Sequence, residues 1–260
     1  MGAMTQNFVR AHQFESLQNF RDYGGYATAG GPRMAVQRFF RSANPALASD
    51  DDLRRLADMG LTHIVDLRRP DERQRNPSRR WENFAASVVE NDDDHEGDES
   101  WHGFMAESDL TADAFRGYLN RYYRRGPHLP RHIDLFTRYF DAVADGDGAL
   151  LVHCAAGKDR TGVLAALVLS VLGVADDDIA ADYTLSADAM TRRLAWLQVN
   201  DPAGAVTMAG QPAGWLAAPT DVMLTVLRHV REVHGGAESY LADHGIDRAT
   251  FDTLRYLLLT

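Results

Sequence analysis

Cysteine is almost missing from this chain: of 260 residues only Cys154 carries a thiol. An intramolecular disulfide is therefore excluded, and an oxidised Cys154 has no resolving partner in the same chain. Long apolar runs are missing too. None approaches the roughly 20 residues that span a bilayer, which excludes an integral membrane segment of the helical kind. The first twenty residues lack a basic segment followed by an apolar core, so they do not read as a secretory signal. The cytoplasm is then the default expectation, although some bacterial proteins are exported without such a signal. A basic surplus is also lacking. The formal charge of -10 argues against a nucleic-acid partner and requires a local basic pocket to draw any anionic substrate. His63, His95 and His102 have no metal-ligand spacing, so no metal and no other cofactor is expected.

Against these absences, 45% hydrophobic and 25% charged residues supply enough apolar material for one sizeable core. No internal repeat or long linker divides the chain. Met1–Met4 read as a cloning remnant, and residues 5–260 as a single domain. Asp50-Asp51-Asp52 opens a short amphipathic helix that closes at Gly60. Thr62–Leu67 and Phe84–Val89 read as strands, and Asn91–Glu99 as an acidic loop. Thr111–Arg125, Arg131–Ala144 and Ile179–Val199 read as helices, Asp201–Pro219 as a loose segment, and Thr220–Leu259 as a final helical set. Strands alternating with helices before Ala175, then an all-helical remainder, predict an α/β sheet with extra helices over it.

The chemistry concentrates at His153-Cys154-Ala155-Ala156-Gly157-Lys158-Asp159-Arg160-Thr161-Gly162. An apolar, strand-like run, Ala149–Val152, leads into this stretch, and a helix-like run, Val163–Leu172, follows it. A thiol and a guanidinium spaced in this way on a strand–loop–helix turn can hold a phosphate between them. The thiolate is the nucleophilic form of cysteine. The dipole of the following helix favours that anion by only about 0.3–1 kcal/mol. Arg160, the backbone amides of Ala155, Ala156 and Gly157, and the Thr161 hydroxyl must therefore contribute the rest. Gly157 lets the backbone turn where a Cβ would resist, and Gly162 permits close packing of the helix start. The planar fork of Arg160 suits two phosphoryl oxygens. Such a site fits transfer of a phosphoryl group to sulfur.

His153-Cys154-X5-Arg160-Thr161-Gly162 is the signature of the cysteine-dependent protein tyrosine phosphatase superfamily, and the form HCAAGKDRTG resembles a bacterial branch with mycobacterial members. That branch also carries Asn-Phe-Arg-Asp, Phe-Arg-Ser and Asp-Leu-Arg elements. This chain has them at Asn19–Asp22, Phe40–Ser42 and Asp66–Arg68, and Ala181-Asp182-Tyr183 and Ser239-Tyr240-Leu241 fit as well. The resemblance covers nearly the whole chain. It implies a central, mostly parallel sheet of four or five strands flanked by helices, with additional helices as a lid over the active site. It also implies metal-independent hydrolysis of phosphate monoesters through a phosphocysteine. Protein phosphotyrosine is the easiest substrate, because phenoxide leaves more readily than an alkoxide, with phosphoserine, phosphothreonine or phosphoinositide activity alongside.

Ester cleavage needs a carboxylic acid to protonate the leaving oxygen. The superfamily often carries it on a loop leaving a strand beside the catalytic one, which points to Asp93 within Asp92–Asp94. Asp159, inside the Cys154 loop, is the alternative or co-worker. Lys158 adds a second cation, which in this superfamily accompanies phosphoinositide or broad specificity; its other reading is a surface stem. Arg41 and Arg68 end elements that could converge near the loop, either to contact phosphate or to pair with Asp22 or Asp66. The Arg121-Tyr122-Tyr123-Arg124-Arg125 run could belong to a lid or touch an anionic surface, but reads first as a helix face with ordinary solvated charges. Sulfur transfer would want a shorter loop and arsenate reduction partner cysteines. The remaining rival is a catalytically silent phosphate-recognition module. The sequence assigns no oligomeric state.

Overall fold

Five strands carry the Cys154 loop. In the computed structural model, which describes residues 10–94, 101–146 and 148–260, they are β1 (Arg21–Asp22), β2 (Phe39–Ser42), β3 (Leu61–Asp66), β4 (Ser87–Val89) and β5 (Ala149–His153). Met1–Met4, and His95 with the rest of the acidic loop to Glu99, lie outside the described residues. The strand order is β1-β2-β5-β3-β4, with β1 antiparallel to β2 and every other pairing parallel. The expected mostly parallel sheet flanked by helices is what forms. β5 lies in the middle and is buried along its whole length, which is why its sequence is a continuous apolar run.

The two-residue period of the strands sorts their side chains between two layers. Leu150 and Val152 of β5 join Phe39 and Val65 on one face, whereas Ala149 and Leu151 join Phe40 and Ile64 on the other. The second face is covered by α1 (Asp50–Ala57), which buries Leu53 and Leu56. Ser49 starts α1 as a reciprocal cap with Asp52, and Asp52 also accepts from Glu15, Ser16 and Leu17 main-chain nitrogens, tying the N-terminal segment down.

The first face carries most of the helices. In chain order the remaining ones are α2 (Pro70–Arg75), α3 (Trp101–Glu107), α4 (Ala112–Arg125), α5 (Pro130–Ala144), α6 (Asp159–Val171), α7 (Asp176–Asn200), α8 (Pro202–Ala209), α9 (Thr220–His234), α10 (Ala237–Asp243) and α11 (Arg248–Leu258). α6 is apolar nearly all round, as befits a helix enclosed by the sheet and by α7, α9 and α10. No helix among the described residues is long and apolar enough to cross a membrane.

Several elements depart from the sequence expectations, each for a local reason. The strand expected over Phe84–Val89 is only Ser87–Val89, because β4 is an edge strand paired on one side by three residues. Within the loose 201–219 stretch, Asp201 caps Gly204 N and Pro202 opens a first turn, so α8 forms. The helical set after Thr220 is three helices, broken where Gly235, Gly236 and Gly245 take positive φ. α2 begins directly after β3 with Pro70 in its first turn, and its Glu72 accepts from Arg69 N.

Candidate active site

Cys154 follows the last residue of β5, is buried, and lines a cavity of about 240 Å³. The next residues turn back into α6. Every carbonyl from Ala155 to Lys158 is bound from behind. Asn44 donates to Ala155 O at 3.0 Å through Nδ2, and Asn19 Nδ2 donates to Ala156 O and Gly157 O at 3.0 and 2.9 Å. Arg41 donates to Gly157 O at 2.9 Å and to Lys158 O at 3.2 Å. In a trans peptide unit the N–H points opposite to the C=O, and no cis peptide occurs among the described residues. The N–H groups of Ala156, Gly157, Lys158 and Asp159 are thereby turned to the other side, away from these braces. A run of such amides makes a concave anion site.

Gly157 is required on two counts. Its φ is +66°, and a Cβ there would lie 2.2 Å from Ser42 O at the end of β2. Gly162 packs closely as well: a Cβ would meet the Tyr183 ring at 3.0 Å and Met223 at 3.2 Å.

Behind the loop stands a fully buried ionic cluster. Asp182 of α7 receives Arg41 at 2.7 Å and Arg21 at 3.2 Å, and Arg21 also donates to Asn19 Oδ1 at 2.5 Å. Burial pushes the Asp182 carboxyl up, and the two guanidiniums overcome that and hold it below its usual range. Arg41 thus braces the loop and pairs with Asp182, not with Asp22. Arg68 pairs with Asp66 at 2.7 Å and donates to Ser78 and Asn76. Neither Arg41 nor Arg68 lines the cavity. His153 is buried against Asp66, and its pKa is lowered to about 4, chiefly by burial.

On the cavity side, Arg160 reaches Glu72 of α2 with both terminal nitrogens, at 2.5 and 2.7 Å, and Leu67 O at 3.2 Å. Asp159 also lines the cavity. Its Oδ1 accepts from Tyr123 at 2.6 Å and from Tyr183 at 3.2 Å. Burial, and then this carboxylate, keep both phenols well above their usual pKa, so they remain donors. Oδ2 accepts neither phenol and lies 3.9 Å from Lys158 Nζ. Asp93 is exposed on the loop after β4 and does not line the cavity. Thr161 is buried, and its hydroxyl has no hydrogen-bond partner among the described residues.

The cavity walls are largely aromatic. Phe115, Tyr118, Leu119 and Tyr122 come from one stripe of α4, joined by Trp101 of α3 and Trp215 of the α8–α9 connection. Arg69, Arg125 and Arg131 add positive charge, and His132 stays neutral because burial, then Arg131, lower its pKa to about 3. The Arg121–Arg125 run therefore divides: Arg121 and Arg124 are exposed, while Tyr122 and Arg125 face the cavity. Sequence reasoning quoted Asn19 and Asp182 only as parts of family elements and Tyr123 only within the Arg121–Arg125 run, and it missed Glu72, Asn44 and Trp215. No group of three or more His, Cys, Asp or Glu among the described residues is arranged to hold a metal.

Comparison with known proteins adds a second line. A family model described as the tyrosine phosphatase family matches residues 12–260. A Cupriavidus necator protein provisionally named a tyrosine-protein phosphatase is 41% identical over 173 residues, which cover 65% of this chain and 60% of that protein. The chain thus spans less than two thirds of this relative. Triple specificity protein phosphatase PtpB of Mycobacterium tuberculosis is 28% identical over 270 residues, covering 93% of this chain and 96% of its own. Among solved structures, the crystal structure of TpbA from P. aeruginosa aligns with a TM-score of 0.32 at 18% identity, over 71% of this chain and 97% of that one.

Proposed function

The chain belongs to the tyrosine phosphatase family, and on that premise we propose that it hydrolyses phosphate monoesters, protein phosphotyrosine foremost, through a phosphocysteine. The observation that carries this reading is the convergence of Cys154, Arg160 and Asp159 on one cavity, at a loop whose carbonyls are all tied behind it.

The Cys154 thiolate attacks phosphorus in line with the leaving oxygen, so that a P–S bond forms as the P–O bond breaks. The loop amides and the remaining N–H groups of Arg160 take the charge that spreads over the equatorial oxygens. Asp159, at the N-terminus of α6, delivers a proton from Oδ2 to the leaving oxygen while Tyr123 and Tyr183 hold Oδ1. In the second step the Asp159 carboxylate takes a proton from water as that water attacks phosphorus. The P–S bond breaks and inorganic phosphate leaves, returning the thiolate. The buried Thr161 hydroxyl, which has no hydrogen-bond partner among the described residues, is available to stabilise the sulfur anion. These steps use charges and dipoles of the chain itself, and the proposal includes no metal.

Aromatic walls around the cysteine favour a phenolic ester as substrate. The relative PtpB is named for triple specificity, and we extend a broader range to this chain as well: phosphoserine, phosphothreonine or phosphoinositide beside phosphotyrosine. The test is phosphate release by wild type and Cys154→Ser, in chelator, from phosphotyrosine and phosphoserine peptides and from phosphoinositide vesicles. Turnover by wild type alone supports the proposal, and the substrate ranking sets the specificity. Binding of phosphate without turnover by wild type would favour a phosphate-recognition module.

A further inference from the structure

Lys158 belongs to the Cys154 loop, yet its ammonium is committed elsewhere. The side chain is fully buried, and Nζ donates to the main-chain carbonyl of Trp215 and, at 3.1 Å, to that of Ala217. The same nitrogen lies 5.0 Å from the centre of the Trp215 ring, within the range of a cation–π contact. A buried ammonium is costly unless several groups compensate it. Here two carbonyls and an aromatic face do so, with Asp159 Oδ2 at 3.9 Å beyond them. Two of its three N–H donors are thereby taken, and Lys158 is not among the residues that line the cavity.

The segment it grips is irregular: Pro212 and Ala218 are buried, but few hydrogen bonds hold its backbone. Residues 211–219 form neither helix nor strand, and Gly214 sits at φ +85°. Two short turns, Trp215 N to Pro212 O and Ala217 N to Gly214 O, shape it, and Ala213 N reaches Leu110 O. Trp215 is half-buried and forms the cavity wall beside Ala155 and Ala156, between the main core and the cluster packed under α7 and α8. To that packing Lys158 adds a tie to the Cys154 loop, whose carbonyls Asn19, Arg41 and Asn44 brace.

We propose that Lys158 is a positioning residue acting through Trp215, and that Trp215 selects phosphate esters carrying an aromatic ring; Lys158 is not a ligand of the phosphate. The inference deepens the phosphatase reading of the same cavity and rests on it for the identity of the substrate. An aromatic pair adds stabilisation beyond burial that corresponds to a preference of up to about ten-fold.

The test is equilibrium binding of two non-hydrolysable probes, benzylphosphonate and methylphosphonate, to the full chain by calorimetry. Wild type is expected to prefer the benzyl probe by about ten-fold. Lys158→Met and Trp215→Ala should each remove most of that preference, acting on the benzyl probe, and the double variant should lose no more than either alone. Lys158→Arg, which retains a cation, should keep part of it and serves if Lys158→Met does not fold. Equal weakening of both probes in the Lys158 variants would make Lys158 a phosphate ligand and overturn the proposal. Full benzyl preference in Trp215→Ala would overturn it as well. Binding is read without turnover, so a wild type that binds but does not hydrolyse would count against the phosphatase reading alone.

Discussion

Glu72 holds Arg160 with both carboxylate oxygens, at 2.5 and 2.7 Å, inside the cavity that contains Cys154. Two parallel bonds fix the plane of the guanidinium as well as its position. Burial pushes the Glu72 carboxyl up, but the charge and hydrogen bonds of Arg160 more than reverse this and hold it far below the usual carboxylate range. Arg160 therefore meets a phosphate already oriented. Glu72→Gln should lower kcat/KM by about 10²-fold, the scale on which misplacing one positioning group acts. Steady-state kinetics on an aryl phosphate would check it, and an unchanged kcat/KM would contradict the role given to Glu72.

The same pair makes a prediction about stability and pH. A carboxyl whose folded-state pKa is depressed contributes stability that is fully present above its unfolded value, and loses it as pH falls through the folded value. For Glu72 the loss begins as pH drops below 4.5, its ordinary value. Asp182 behaves likewise from 3.8 downward. Denaturant midpoints of wild type should fall between pH 7 and pH 3, and those of Glu72→Gln should fall less.

Asp159→Asn keeps the shape of the acid and removes its proton. The expected loss in kcat is about 10²-fold or more with an alkyl leaving group, which needs protonation, and smaller with a p-nitrophenyl leaving group, which does not. Asp93→Asn should leave both rates near wild type. A larger loss at Asp93 than at Asp159 would return the acid to the loop after β4.

The reason lies in sheet order, which no local reading supplies. β3 separates β4 from β5, so the loop after β4 leaves the edge of the sheet, two strands from Cys154. Register decides the arginine pairings in the same way. Arg21 lies opposite Arg41 across β1 and β2, so both project to one face and reach Asp182 together. Asp22, one residue on, projects to the other face and cannot serve Arg41. Arg68 and Asp66 lie two residues apart at one strand end, so the sequence could name their pairing, but only beside a phosphate contact as the alternative. The Cys154 loop was legible, because its chemistry is contiguous and its glycines answer to local sterics. Its braces come from Asn19 and Arg41, more than a hundred residues away, and only the fold reveals what they hold.

Gly157→Ala tests the local part of that account. Its φ of +66° and the 2.2 Å approach to Ser42 O leave no room for a methyl group. The substitution should cost about 1–3 kcal/mol of stability, measured by denaturation. Turnover should fall together with it, since the loop must shift to relieve the clash.

Peroxide should abolish activity by oxidising Cys154, with protection by inorganic phosphate bound at the same loop. Because the chain holds a single cysteine, mass spectrometry should find no intramolecular disulfide and recovery by thiols only at the first oxidation stage. Activity that persists when Cys154 is fully oxidised would contradict its role.

The central claim is that phosphate passes through the sulfur of Cys154. Rapid acid quench of wild type with a phosphotyrosine peptide, followed by mass spectrometry, should find one phosphoryl group on the peptide containing Cys154, with more of it in Asp159→Asn at the stage where water must be activated. Phosphate release that continues in Cys154→Ser, with no labelled Cys154 peptide in wild type, would contradict the account.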